Sequence, residues 1–412
     1  MTTTRAALHD RLGDRLRDAT EHDEIAGIRP RWVVTAADTA DVADALRAAA
    51  EHDLTVVPRG SGSRLDWGPA PTSADLLLDL APCTGILEHA AGDLVISARA
   101  GTPLRALHDT AAAAGQRLPI DPPQPTATVG GVVATGTSGP ARHYFGGIRD
   151  LLIGITVVLA DGTTTTSGGN VVKNVAGYDL GKLYTGSFGT LGVITEAVFR
   201  LHPLAAEHRW ISSTTHDPGD AAGIVDAHRH SQAMPTAIEL DRPEPGGPIT
   251  ITAQLEGRPD ATHARADALA RTVGGEVHEH PPGWWGAHPF PADGTGLRIG
   301  TEPAALADLL RAADRAATRT ALPLALRGAA GLGVLHAGLP GTADPAATTE
   351  LVTALRALPG YTALERGTPA VRAALDPWGP RPAALTALDR QLKDRFDPGH
   401  RLAPGRHAGG IR

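Results

Sequence analysis

Leu54-Thr55-Val56-Val57-Pro58-Arg59-Gly60-Ser61-Gly62-Ser63 joins an apolar run to a glycine- and serine-rich turn, and its reading decides the fold. The β-branched run predicts a short strand. The turn has glycines that let main-chain N–H groups point inward and approach an anionic ligand. Working outward, residues 31–35 predict a strand. Residues 38–53 predict a helix, with Val42, Leu46, Ala49 and Ala50 at helical spacing behind a Thr39/Asp41 start signal. Strands follow at 76–80 and 93–98, then a helix at 103–114 ended by Gly115. The pattern is a βαβ-type unit whose second strand runs straight into the glycine-rich loop, where an α/β unit places phosphate.

Two further glycine-rich stretches lie downstream: Thr128-Val129-Gly130-Gly131-Val132-Val133-Ala134-Thr135-Gly136, which predicts a tightly packed helix start, and Gly186-Ser187-Phe188-Gly189-Thr190-Leu191-Gly192. Between them Asp161-Gly162 predicts a two-residue hairpin joining strands at 151–160 and 163–167, and residues 192–201 predict another strand. Lys173-Asn174-Val175-Ala176-Gly177-Tyr178-Asp179 places a cation, an amide and a phenol together. These could fix the polar edge of a ligand, or form a solvated loop with Tyr178 as a packing anchor. Neither the dinucleotide fingerprint G-x-G-x-x-G near the N-terminus nor a Walker A sequence is present, which argues against a nicotinamide enzyme and an ATPase.

The 412 residues allow two or three domains. The chain has 48 Gly and 33 Pro, which predicts many tight turns, and a formal charge of −7, which argues against a nucleic-acid binder. Only three basic residues are lysines (Lys173, Lys182, Lys393), so an arginine carries little information here and a lysine more. A single cysteine, Cys83, excludes internal disulfides and cysteine-based clusters within this chain. No apolar signal region and no run of ~18 apolar residues is visible, so a soluble, cytoplasmic protein without a transmembrane segment is expected.

After Pro203 the glycine-rich signatures thin out. Helices are predicted at 261–273 and 303–320, with strands at 249–255, 297–300, 322–326 and 333–339, as in a separate α+β domain. Residues 385–396 predict a last amphipathic helix. No G-x-S-x-G elbow and no H-E-x-x-H is present. The histidines are scattered, including His228/His230 and His278/His280, and no metal site is expected. Trp284-Trp285 followed by His288 could line a pocket or anchor a loop.

The ordered set Pro58 to Ser63, Thr128-Val129-Gly130-Gly131, Gly147-x-Arg149-Asp150 and Gly186 to Gly192 followed by Val193-Ile194-Thr195-Glu196 resembles the FAD-binding domain of the vanillyl-alcohol oxidase / p-cresol methylhydroxylase superfamily. Ser138-Gly139-Pro140 and Lys173 to Asp179 are similar to the FAD-binding E subunits of bacterial glycolate oxidases. The ending Leu392-Lys393-x-x-Phe396-Asp397-Pro398-Gly399, then Pro404-Gly405-Arg406, is similar to the superfamily's C-terminal segment. The resemblance implies an α+β protein. A p-cresol methylhydroxylase-type FAD-binding domain of two α+β subdomains (1–203) would be followed by a smaller α+β cap or substrate domain (204–375). A C-terminal segment (376–412) would pack back on the first.

It implies that Pro58, Arg59, Gly60, Ser61, Gly62 and Ser63 cradle the FAD pyrophosphate through backbone amides. Thr128, Gly130, Gly131, Thr135 and Ser138 would meet phosphate or flavin, and Ile194 the adenine or isoalloxazine edge. Arg149, Asp150, Gly189 and Gly192 complete the matched motifs, and Asn174 and Tyr178 would lie near the flavin. The FAD is expected to be non-covalent, because these regions offer no histidine beyond nearby His143. The 2-hydroxy-acid dehydrogenase branch carries H-x-G-D-G-N-x-H in its cap, whereas this chain reads Arg327-Gly328-Ala329-Ala330-Gly331-Leu332-Gly333-Val334-Leu335-His336. Arg327 (carboxylate binding) and His336 (base) are the candidates for a substrate site, with purely structural roles as the alternative. By resemblance the substrate is glycolate or a similar 2-hydroxy acid, and the partners are a second FAD subunit and an iron–sulfur subunit. The rivals are a stand-alone FAD oxidase or dehydrogenase and a flavin-free scaffold.

Overall fold

The computed structural model describes residues 2–170 and 178–408. The chain divides into two compact units. The first comprises residues up to Ser138, Gly147–Leu204 and everything from Pro380; the second comprises Gly139–Gly146 and Ala205–Gly379. The breaks between the units fall near 204 and 380. The segment Gly139–Gly146 departs from the expected 1–203 domain, because its short helix Arg142–Phe145 packs beside the second unit's Ala237–Arg242 strand.

The first unit is built on two main sheets, and Gln116–Arg117 pairs with His202–Pro203 as a third, two-stranded one. One main sheet has four strands in the order Leu16–Asp18, Trp32–Thr35, Leu76–Asp79, Val56–Arg59, the last three mutually parallel. The Thr39–Glu51 helix makes the crossover. Asp38 caps it by accepting the Asp41 amide at 2.9 Å, and its Val42, Leu46 and Ala49 face is wholly buried. The other sheet is antiparallel, in the order Ile86–Ala90, Val95–Arg99, Val193–Arg200, Leu152–Val158, Thr164–Gly168. The Leu104–Ala113 and Val129–Thr135 helices share its core. Asp161-Gly162 turns the hairpin as its composition predicts, with Gly162 at φ +81°.

The second unit carries one antiparallel sheet of eight strands. Their order is Glu276–His278, Glu207–Thr215, Ile249–Gly257, Ala237–Arg242, Ala325–Ala329, Val334–Leu339, Thr295–Gly300, Tyr361–Arg366. Helices Pro218–Arg229, Leu306–Thr320 and Pro345–Arg356 pack on one core with it, and Pro259–Val273 on a smaller one. The strand expected at 322–326 starts later. Ala321 leaves the helix in the left-handed region (φ +54°), and the Leu322 amide still bonds to Ala317. Leu322 and Leu324 are therefore buried as part of the helix exit, and the strand is Ala325–Ala329.

Candidate functional site

The three glycine-rich stretches converge in the first unit on one cleft of about 750 Å³, part of it open to solvent. The Val56–Arg59 strand delivers the first loop, and the amides of residues 61–63 have no hydrogen-bond acceptor among the described residues. The Val129–Thr135 helix delivers the second stretch. Its first turn is pinned by the Val129 and Gly130 amides donating to Thr102 and Ala100 carbonyls at 2.9 and 2.8 Å. In the third, Phe188 donates its amide to Ala134 at 2.8 Å while its backbone sits at φ +55°, a strained conformation for a bulky residue. Gly189 next to it is at φ +73°, and a Cβ there would lie 2.5 Å from Pro58 Cγ. Loops one and three are therefore in contact along the cleft wall.

Of the sequence-predicted residues, Pro58, Arg59, Gly60, Ser61, Gly62, Ser63, Thr128, Gly130, Gly131, Thr135, Gly189, Gly192 and Ile194 line this cleft. The Arg59 side chain is engaged by Asp23 at 3.1 Å and Asp79 at 2.6 Å. Its guanidinium thus braces the loop while its backbone faces the cleft. A hydrogen bond from Arg17 holds the Asp23 carboxyl far below the usual range, so this brace stays charged.

Four predicted residues lie elsewhere. Ser138 Oγ accepts the Ile148 amide at 3.4 Å, and Asp150 accepts the Gly147 amide at 2.9 Å. These bonds fasten the short Ile148–Leu151 helix, and Arg149 and Asp150 are exposed on it. Tyr178 is 91% exposed. Asn174 lies outside the described residues. Sequence reasoning missed Arg64, Leu65, Leu80, Ala100, Ala134, Phe188, Val193 and Arg406, which complete the lining.

A second constellation lies within the second unit. Asp241, Arg327, His336 and Arg298 are directly opposite one another on four successive strands and form a polar row across the sheet. Arg327 is bound to Asp241 at 2.7 Å and donates to the His288 carbonyl at 3.3 Å, with its guanidinium 5.8 Å from the Trp284 ring. Arg327 is thus held by an ion pair, with the Trp284 ring near its guanidinium. His336 Nδ1 lies 3.0 Å from Glu365 Oε2, and the His336 and His288 rings meet edge-to-face with centroids 4.5 Å apart.

Burial opposes ionisation of Glu365, but the neighbouring His336, His288 and Arg298 outweigh it and hold the carboxyl at about 2. The ligand atoms of His288, His336 and Glu365 all lie within 4.8 Å of one another. Two imidazoles and a carboxylate are a donor set for zinc, iron or manganese. The sequence reading expects no metal site; these three ligands come from separate elements of the fold, so no local spacing announces them.

Residues 30–168 match the family model described as an FAD binding domain. This part of the chain is an FAD-binding domain. Its fold is that of the p-cresol methylhydroxylase-type flavoproteins. The chain superposes along its whole length on 96% of p-cresol methylhydroxylase with substrate bound, at TM-score 0.73 and 16% identity. It superposes on 84% of alkyldihydroxyacetonephosphate synthase, also at TM-score 0.73 and 16% identity, over 98% of its own residues.

Among curated proteins it is similar to the Escherichia coli (strain K12) glycolate oxidase subunit GlcE, at 41% identity over 150 residues, 36% of this chain and 42% of that one. The Bacillus subtilis (strain 168) glycolate oxidase subunit GlcD is 32% identical over 52% of this chain and 46% of its own. An Archaeoglobus fulgidus D-lactate dehydrogenase is 38% identical over 42% and 38%. The matched stretches thus span less than half the length of each of these relatives.

The cleft fits the dinucleotide on its own geometry. Thr128 Oγ1 is buried with no hydrogen-bond partner among the described residues. A Cβ on Gly60 would lie 2.4 Å from it, and one on Gly131 3.0 Å. The hydroxyl therefore packs against the bare Cα atoms of two glycines, where a side chain would collide with it. Beside it, the amides of residues 61–63 form the kind of concavity that binds phosphate. Leu65, Leu80, Ala100, Val193 and Ile194 supply apolar wall.

Proposed function

We propose that this chain is the FAD-binding subunit of a glycolate-oxidase-type 2-hydroxy-acid dehydrogenase, working beside a second FAD subunit and an iron–sulfur subunit. The observation that carries the flavin part is the cleft, with the Thr128 hydroxyl set between Gly60 and Gly131. The similarity to glycolate oxidase subunits and D-lactate dehydrogenases supports the substrate class and the complex. FAD, held without a covalent bond, supplies the acceptor for a hydride from the substrate α-carbon.

The chain's own residues do the placing. The amides of residues 61–63 and the Thr128 hydroxyl would hold the diphosphate, with Gly130 and Gly131 letting the helix backbone approach it. The Asp23–Arg59–Asp79 brace keeps the loop in shape. In the second unit, His288, His336 and Glu365 would hold a divalent metal, which polarises the hydroxyl and carboxylate of a 2-hydroxy acid. Arg298 adds positive charge beside it, and Asp241 fixes Arg327.

That triad favours a second reading, in which the chain oxidises the substrate without partners. Reduction of an artificial dye by glycolate and D-lactate separates the two. Turnover by the purified chain supports the self-sufficient dehydrogenase; turnover appearing only on co-purification with flavin and iron–sulfur subunits supports the complex. No turnover in either form, with FAD bound, contradicts the substrate class.

A further inference from the structure

We propose that Arg406, delivered by the C-terminal strap, is a diphosphate-binding residue of the FAD site; the proposal rests on the FAD reading of the cleft. Arg406 is 3% exposed, yet its side chain forms part of the cleft lining. Its Nη2 donates to the Trp67 carbonyl at 2.7 Å, and its guanidinium lies 5.8 Å from the ring of the strained Phe188. The guanidinium is therefore held at Trp67, four residues past the first glycine-rich loop, and near Phe188 of the third.

The strap holds it there through a chain of bonds. Lys393 is wholly buried, and its Nζ donates to Asp397 Oδ2 at 2.6 Å, to the Leu402 carbonyl at 2.7 Å and to the Thr190 carbonyl at 2.8 Å. It thus ties the C-terminal helix and the strap to the third loop. The Val56 amide donates to Arg401 and the Ala403 amide donates to Val56, each at 2.8 Å, so the strap runs beside the strand that carries the first loop. The Thr72 amide donates to Pro404 at 2.8 Å. Gly405 then turns at φ +83° so close to Thr72 that a Cβ would lie 2.6 Å from its Cγ2. The last turn before Arg406 is thereby ordered, and Arg406 lines the cleft.

The charge arithmetic points to the same ligand. Asp23 and Asp79 occupy the Arg59 guanidinium, so its charge is already matched. A diphosphate brings two negative charges into a cleft whose first loop offers main-chain dipoles and serine hydroxyls, and whose lining guanidiniums besides Arg59 are Arg64 and Arg406. A rigid guanidinium suits it, because the planar fork matches phosphate geometry and is cheap to desolvate. Lys393, in this account, is a positioning residue and touches no cofactor.

The test uses the full chain stripped of flavin. FAD binding is titrated by flavin fluorescence in wild type, Arg406→Gln, Arg406→Lys and the exposed control Arg395→Gln, with inorganic pyrophosphate as competitor and riboflavin as the phosphate-free probe. Losing a charged hydrogen-bond partner predicts FAD binding weaker by about 10- to 100-fold in Arg406→Gln. Partial recovery in Arg406→Lys, loss of pyrophosphate competition, unchanged riboflavin binding and an unchanged flavin reduction potential complete the expected pattern. Wild-type FAD affinity in Arg406→Gln overturns the proposal. So does an equal loss of FAD and riboflavin, or a shifted potential, either of which assigns the residue to the ring or to folding. If Arg406→Gln does not fold, Arg406→Lys decides: FAD binding weakened with riboflavin binding intact supports the proposal, and wild-type FAD affinity or an equal loss of both overturns it. Failure of wild type itself to bind FAD would instead remove the cofactor reading.

Discussion

Gly130 and Gly131 are adjacent in one helix, yet substitution by alanine separates folding from cofactor binding. A Cβ on Gly130 would lie 2.7 Å from Ala100 Cβ and 3.2 Å from the Ala100 carbonyl, both on packed backbone in the core. Gly130→Ala therefore costs stability, by about 1–3 kcal/mol for an overpacked core. A Cβ on Gly131 would meet only Thr128 Oγ1, at 3.0 Å, and otherwise faces the cleft. The hydroxyl has to give a little, while alanine gains about 0.5–1 kcal/mol over glycine inside a helix. The flavin-free stability of Gly131→Ala should stay within about 1 kcal/mol of wild type. Its methyl, however, occupies the space beside Thr128 where the cofactor fits. Overpacking of about 1–3 kcal/mol there weakens FAD binding by about 5- to 150-fold. Denaturant unfolding of the flavin-free proteins and FAD titration of the same samples measure both quantities. Gly131→Ala binding FAD as tightly as wild type, or losing as much stability as Gly130→Ala, would refute the assignment of this helix turn to the cofactor.

Further outcomes follow from other parts of the structure. Burial pushes the imidazole of His228 from its ordinary 6.5 to about 4, so the unfolded chain takes up a proton that the folded chain refuses. Stability is fully present above pH 6.5, falls as pH drops towards 4 and levels off below. The gap is worth about 3 kcal/mol, and His228→Leu should flatten the urea midpoint over that interval; an unchanged slope contradicts it. Elemental analysis should find a divalent metal that His336→Ala and Glu365→Gln both lose, with chelation lowering 2-hydroxy-acid turnover but not flavin absorbance. A metal-free wild type with chelator-insensitive turnover would count against the triad. Gly189→Ala, forced into φ +73° against Pro58, should lose about 1–3 kcal/mol of stability, readable as a lower midpoint in thermal unfolding.

What was legible in the sequence was local. Each glycine-rich loop is a contiguous run, so the strand before Gly60 and the helix start at Val129 could be read from spacing alone. Gly147-x-Arg149-Asp150 belongs to the same motif set, and there Asp150 takes the Gly147 amide and closes a short helix. Arg406 is some 340 residues from the first loop in sequence, and in a chain with so many arginines nothing in its composition singled it out. Lys393 was marked by the rarity of its residue type, but only the fold shows that it staples two segments. His288, His336 and Glu365 meet because the Tyr361–Arg366 and Val334–Leu339 strands both flank Thr295–Gly300, a sheet order that spacing does not encode. The Pro218–Arg229 and Pro345–Arg356 helices were missed although Asp217 and Asp344 cap them with proline at the first turn, because alanine and glycine in the first, and alanine and threonine in the second, leave weak apolar periodicity.

The most direct measurement is the visible spectrum of the purified chain, before and after acid precipitation and then with glycolate or D-lactate added under anaerobic conditions. The account predicts a yellow chromophore that acid releases into the supernatant as FAD, and that a 2-hydroxy acid bleaches in the chain alone or once its partner subunits are present. A colourless protein that fails to take up added FAD, or a flavin that stays in the acid pellet, would contradict it.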